Sequence, residues 1–215
     1  MITTLQDKQA RAGFTLVEAL IAVSFLVVMF MAVAQVSSRA SDAFDEGSAE
    51  HALSTGTHRA LERLTHALEF ANGTGNTPMY PAENDAVTFD TNPSFEGGAA
   101  HWTSVNLLAE LESEELDDGL DNDGDGLVDE RRVVQIENLG APEERRIVLA
   151  SGVAELLEGE LANLADDNGN GLIDEAGLSF SCEGEVIFVR LTCQRRDEGG
   201  RLLVKTAETA VRPYN

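Results

Sequence analysis

The chain has 215 residues, 43% of them hydrophobic, and a formal charge of −23; that length suits one domain, or one domain with an appendage. With 15 Lys and Arg against 38 Asp and Glu, the balance argues against nucleic acid as a partner, because phosphate binding needs clustered cations. Such acidity keeps a protein soluble or feeds cation sites, and two cysteines, Cys182 and Cys193, are too few for a disulfide framework.

The first thirteen residues, MITTLQDKQARAG, are polar, with Lys8 and Arg11 near their end. Phe14 to Ala34 follows as an apolar block of 21 residues with one charge, Glu18. At about 1.5 Å per residue a helix of that length covers a hydrocarbon core of ~30 Å, and the basic leader holds its start on the cytoplasmic side. The block therefore predicts a transmembrane segment over 14–36. A plain signal anchor accounts for the length and the flanks. A secretory signal peptide cut after Ala32-Val33-Ala34 would need a shorter apolar region, usually ~7–15 residues. Neither accounts for Glu18, since a carboxylate inside an apolar span costs ~2.5–3.5 kcal/mol even on the lenient insertion scale and needs a partner.

Gly13-Phe14-Thr15-Leu16-Val17-Glu18 closely resembles the prepilin processing site of type IV pilins and type II secretion pseudopilins. The resemblance implies cleavage by prepilin peptidase after Gly13, methylation of the new N-terminal Phe14, and pairing of Glu18 with the N-terminal amine of a neighbouring subunit during assembly. It also implies partners (other pilins or pseudopilins, the peptidase and an inner-membrane assembly platform) and a place: a single-pass inner-membrane protein with its domain in the periplasm or a filament. Staggering two subunits would pair a buried carboxylate with a buried ammonium, each costly alone.

From Arg39 to Phe70 there is no proline, and Leu53, Thr57, Ala60, Leu61, Leu64 and Leu68 recur at helical spacing. One helix over 14–70 is expected, its second half amphipathic, with Gly47 and Gly56 as points of bending. Asn72-Gly73-Thr74-Gly75-Asn76-Thr77-Pro78 ends it with breaker chemistry. In the remaining 71–215, Ala86–Asp90, Arg132–Glu137, Arg146–Leu149, Glu185–Cys193 and Arg201–Thr209 read as strands, and Glu198-Gly199-Gly200 as a hairpin turn. The expected fold is α+β, a long N-terminal helix packed on an antiparallel sheet with acidic loops at 117–130 and 166–175. That plan resembles the J-type minor pseudopilins and related minor pilins.

The two acidic loops repeat one another. Asp121, Asp123, Asp125, Leu127 and Asp129 fall at positions 1, 3, 5, 7 and 9 of the first, and Asp166, Asn168, Asn170, Leu172 and Asp174 at those of the second, with Gly126 and Gly171 at position 6. This is the front of an EF-hand-type calcium loop: alternate oxygens converge on one ion, glycine permits the turn, and position 7 offers its carbonyl. The bidentate glutamate of position 12 is missing, with Arg132 and Gly177 there instead. Either Glu130 and Glu175 at position 10 substitute for it, or Asp129 and Asp174 bind directly. The loops resemble those of dockerin and thrombospondin repeats, and calcium sites are known in several pseudopilins. Two Ca²⁺ ions are expected, the second held more weakly because Asn168 and Asn170 replace carboxylates. Asp117 and Asp118 either complete the first set or are only solvated. A solvated acidic loop held by Asx-turns is the plainer alternative.

His51, His58 and His66 lie on the helix without nearby cysteine or a convincing carboxylate set, and solvated or sheet-facing positions explain them best. Cys182 and Cys193 could pair in an exported domain, although a hairpin turning at Glu183-Gly184 would not set them opposite each other. Phe95, His101 and Trp102 lie in a Gly-rich stretch read as a loop, either a contact patch or, the preferred reading, a covering for the small core. No catalytic constellation stands out, so the expectation is a structural minor pilin or pseudopilin subunit and not an enzyme. The alternative is a membrane-anchored, calcium-dependent binding or adhesion protein that does not assemble.

Overall fold

The computed structural model describes residues 15–71, 85–96, 99–169 and 173–214. Helix α1 (Leu16–Glu69) comes first, followed by seven strands: β1 (Ala86–Glu96), β2 (Ala99–Leu111), β3 (Arg131–Glu137), β4 (Arg145–Val153), β5 (Leu178–Glu183), β6 (Val186–Arg196) and β7 (Leu202–Val211). The chain divides into two compact units after Phe44.

The first unit holds the apolar part of α1. Large apolar side chains from Leu16 to Val36 are exposed, and none in the most apolar window is buried. A helix apolar on every side is made for a surrounding as apolar as itself, and this one is long and apolar enough to cross a membrane. Its start carries a reciprocal cap. Thr15 Oγ1 accepts from the Glu18 amide at 3.2 Å, and Glu18 Oε2 accepts from the Thr15 amide and hydroxyl, both at 3.2 Å. Two amides that the helix itself cannot pair are satisfied this way.

In the second unit α1 becomes one-sided. Leu53, Thr57, Ala60, Leu61, Leu64 and Leu68 are its buried residues, the six that the spacing marks as one face. Gly47 and Gly56 neither interrupt the helix nor meet a neighbour. The buried face meets Val87, Phe89, Val105, Leu107, Val133, Val153, Phe180, Val189 and Leu191 from the sheet in one core. Thr57 spends its hydroxyl on the Leu53 carbonyl at 2.9 Å, so burial leaves no polar atom unpaired there. Two of the last carbonyls of α1 are met from beyond it: the Ala71 amide donates to Leu68 O and the Tyr214 amide to Glu69 O, each at 3.0 Å.

All strand pairs are antiparallel, in the order β1-β2-β3-β4-β6-β5, with β7 on the other side of β6. The end strands β1 and β5 approach within 8 Å between Cα atoms, so the sheet curls nearly into a barrel. β6 is the hub: β7 pairs along its length, β5 along its first half, and β4 is in register with it at Val153 opposite Cys193. The hairpin turn between β6 and β7 forms as expected, with the Gly200 amide on Asp197 O at 2.9 Å.

One expectation fails here and one open alternative is decided. His101 and Trp102 belong to β2, not to a loop, and Trp102 is 44% exposed, so it does not cover the core; Phe95 falls in β1. Cys182 and Cys193 are not joined: the β5–β6 register sets Cys182 opposite Ile187, and Cys193 lies six residues further along β6. At ~3.3 Å per residue that is roughly 20 Å, beyond any disulfide.

Candidate metal centre

Each acidic loop joins two strands and is pinched at its base. Leu111 pairs with Arg131 below the first, and Leu156 bridges Ala176 below the second. These pairs are themselves 45 residues apart, so the repeat covers 21 residues and is twice as long as its acidic part. The match extends to individual hydrogen bonds. Glu112 N donates to Glu130 O at 3.1 Å, and Leu157 N to Glu175 O at 2.9 Å. Gly124 N meets Asp121 Oδ1 and Gly169 N meets Asp166 Oδ1, each at 2.6 Å. Asp129 and Asp174 share a left-handed φ, 49° and 47°.

That backbone turn decides which carboxylates face inward. Asp129 accepts from the amides of Asp118 at 3.1 Å and Gly119 at 2.8 Å, and Asp174 accepts from those of Asn163 at 3.1 Å and Leu164 at 2.8 Å. Position 9 is therefore an internal brace, and of the two alternatives at positions 9 and 10 it is position 10 that turns inward. Position 12 has no room for a ligand in the second loop: a Cβ on Gly177 would lie 1.8 Å from Ala154 O. Asp118 spends Oδ1 on Leu120 N and Asn122 Nδ2, and neither it nor Asp117 joins the cluster.

In the first loop the inward carboxylates converge. Glu115, Asp123 and Glu130 bring oxygens within 4.8 Å of one another, as do Asp121, Asp123 and Asp125, with Asp123 common to both sets. Oxygens bound to one Ca²⁺ at ~2.3–2.6 Å lie no more than about 5 Å apart. Glu115 is 6% exposed and Glu130 1% exposed. Glu115 Oε1 accepts from the amides of Asn122 and Asp123, but its Oε2 and both oxygens of Glu130 are buried without a hydrogen-bond partner. Buried carboxylate oxygens normally have partners.

The nearby cations do not supply one. Arg132 is held by Glu110 at 2.7 Å, and Arg196 donates to the carbonyls of Gly126 and Gly200. Burial pushes the Glu130 carboxyl up to about 7, and the charges of Asp125, Glu115 and Asp123 add to the shift; its own amide offsets part of it without reaching hydrogen-bond geometry. Carboxylate oxygens gathered within 4.8 Å of one another repel when charged, by a few kcal/mol per buried pair at an effective dielectric constant of about 20. The donor set, hard oxygens on a loop with a buried Leu127 at position 7, fits a divalent cation of the calcium type.

Glu115 is the member of this carboxylate cluster that the loop spacing does not mark. Its signal was present: Glu115-Leu116 and Glu160-Leu161 stand at the same place in both copies, six residues ahead of Asp121 and Asp166. In the second loop Asn170 and Leu172 lie outside the described residues, as do Gly13 and Phe14 of the processing site. His51, His58 and His66 are exposed and belong to no metal-ligating cluster among the described residues; His66 packs edge-on to Phe70 at 5.0 Å.

No family model matches the chain, and no curated protein or solved structure does either. The fold and site define a class: a curled antiparallel-sheet domain with a cluster of converging carboxylates on one acidic loop, carrying an N-terminal helix long and apolar enough to cross a membrane.

Proposed function

We propose that the protein is a structural minor pilin or pseudopilin subunit of a type IV pilus or type II secretion filament. Prepilin peptidase cuts it after Gly13 and Phe14 is then methylated. The apolar part of α1 anchors it in the inner membrane, with the sheet domain on the extracytoplasmic side. Ca²⁺ stabilises that domain through Glu115, Asp121, Asp123, Asp125, Glu130 and the Leu127 carbonyl. The observation that carries the reading is α1 together with what precedes it. A processing motif leads into a 54-residue helix whose first part is apolar on every side and whose second part buries one face under a sheet.

The mature N-terminus, measured by mass spectrometry on protein from its native membrane, tests the first step. A start at methylated Phe14 is expected; an uncut Met1 or a start at Gln35 would overturn it.

One observation favours the second reading, a membrane-anchored calcium-dependent binding protein that does not assemble. The Thr15–Glu18 cap gives Glu18 a role inside its own chain. Glu18→Gln separates the two, because glutamine preserves the capping bond and removes the charge. In the assembling subunit Glu18→Gln inserts normally but drops out of sheared filaments or their complexes at least tenfold. Equal recovery of variant and wild type would favour the anchored binding protein.

A further inference from the structure

Over their described residues the two loops share turn geometry and hydrogen bonds but differ in how their buried carboxylates are balanced. In the first, three oxygens of Glu115 and Glu130 have no partner. In the second, the matching oxygens are all engaged. Glu160 Oε1 accepts from the Asn168 amide at 3.1 Å and Oε2 from the Asp174 amide at 3.2 Å. Glu175, whose side chain is fully buried, accepts from Asn168 Nδ2 at 3.3 Å and from Arg190 Nη1 at 3.2 Å.

Arg190 comes from a different element, the middle of β6, paired with Ser179 and Glu208. Its Nε donates to Glu208 Oε2 at 2.6 Å, so the guanidinium bridges Glu175 and Glu208. A guanidinium presents donors in a planar fork and stays charged at any ordinary pH. No basic side chain reaches Glu130 in the same way among the described residues.

We propose that the Arg190 guanidinium takes, in the second loop, the charge-balancing place that a divalent cation takes in the first, so that the chain binds one ion and not two. The second loop is then a copy that folds without metal, and only the first makes the domain respond to calcium. The inference rests on the calcium reading of the first loop for its count in the wild type, but its own claim concerns Arg190.

The test is the Ca²⁺ stoichiometry of the full chain in detergent, stripped with EDTA and titrated by calorimetry. Four proteins are compared: wild type, Arg190→Gln, Glu130→Gln and the double variant. The expected counts are one, two, zero and one. Arg190→Lys, which keeps a charge near Glu175, is expected to remain at one. Two ions in the wild type would overturn the proposal, as would an unchanged count in Arg190→Gln. A wild type that binds none while Arg190→Gln binds one would refute the first-loop site and still support the role of Arg190. If Arg190→Gln unfolds in EDTA, recovery of the wild-type circular dichroism spectrum on adding millimolar Ca²⁺ supports the substitution of one cation for another. Failure to recover it overturns the proposal.

Discussion

At Glu130 a carboxylate with 1% of its surface exposed faces Glu115 and Asp123 across less than 5 Å. Two outcomes follow from that crowding. Millimolar Ca²⁺ raises the melting temperature of the wild-type protein, Glu130→Gln abolishes the rise, and Glu115→Gln reduces it and weakens Ca²⁺ binding at least tenfold; calorimetry with and without EDTA reads both. The metal-free protein also has a pH dependence of defined sign. Folding raises the Glu130 carboxyl from about 4.5 to about 7, so the folded chain holds that proton more tightly than the unfolded one. Its contribution to stability is therefore greatest below pH ~4.5 and falls as pH rises through about 7, by up to about 3 kcal/mol. Melts in EDTA between pH 5 and 8 should show a decline that Glu130→Gln removes. A decline of equal size in that variant would place its origin elsewhere.

At the scale of elements, the amphipathic part of α1 and the strand ends around the second loop are where single changes should cost most. Leu64 is fully buried in the core face, and Leu64→Ala is expected to destabilise the domain by ~2–5 kcal/mol through lost burial and a cavity. Gly177 sits against the Ala154 carbonyl, while its amide donates to Glu155 O and its carbonyl accepts from Thr192 N. The backbone cannot retreat without breaking those bonds, so Gly177→Ala is expected to cost on the order of 2–4 kcal/mol, read from denaturant midpoints. The neighbouring strands also explain two misses. β5 (LSFSCE) is short and serine-rich and has little strand propensity of its own; the unpaired edge of β6 draws it in through six register pairs. β2 opens on a Gly-rich stretch that reads as a loop, yet Val105, Leu107 and Ala109 alternate inward once β1 and β3 flank it. Strand propensity reflects packing against neighbours more than the strand's own residues.

For the whole molecule, the division after Phe44 separates a solvent problem from a folding problem. Every described residue of the hydrophobic core lies beyond it, whereas the large apolar residues from Leu16 to Val36 are exposed among the described residues. A chain starting at Asp45 is accordingly expected to be soluble, to unfold cooperatively, and to keep the calcium-dependent rise in melting temperature. The full chain should partition with membranes or detergent. Aggregation of the shorter chain would mean that the apolar part contributes to the fold and not only to its location.

Local chemistry determined a good deal by itself. Hydropathy and helical period located α1 and its six buried residues, because a one-sided helix repeats its apolar positions wherever it is packed. Loop spacing identified Asp121, Asp123 and Asp125 as a converging set, because alternate residues of a tight turn point to one side. What only the tertiary structure decided depends on residues distant in the chain or on backbone turns with no periodic trace. The left-handed turn at Asp129 chose Glu130 over its neighbour, the pinched loop base brought Glu115 under the loop, and β6 carried Arg190 to Glu175. The strand register, likewise, separated two cysteines that the sequence allowed to pair. Charge balance inside a fold is set by which elements meet, and a single chain of letters does not state that.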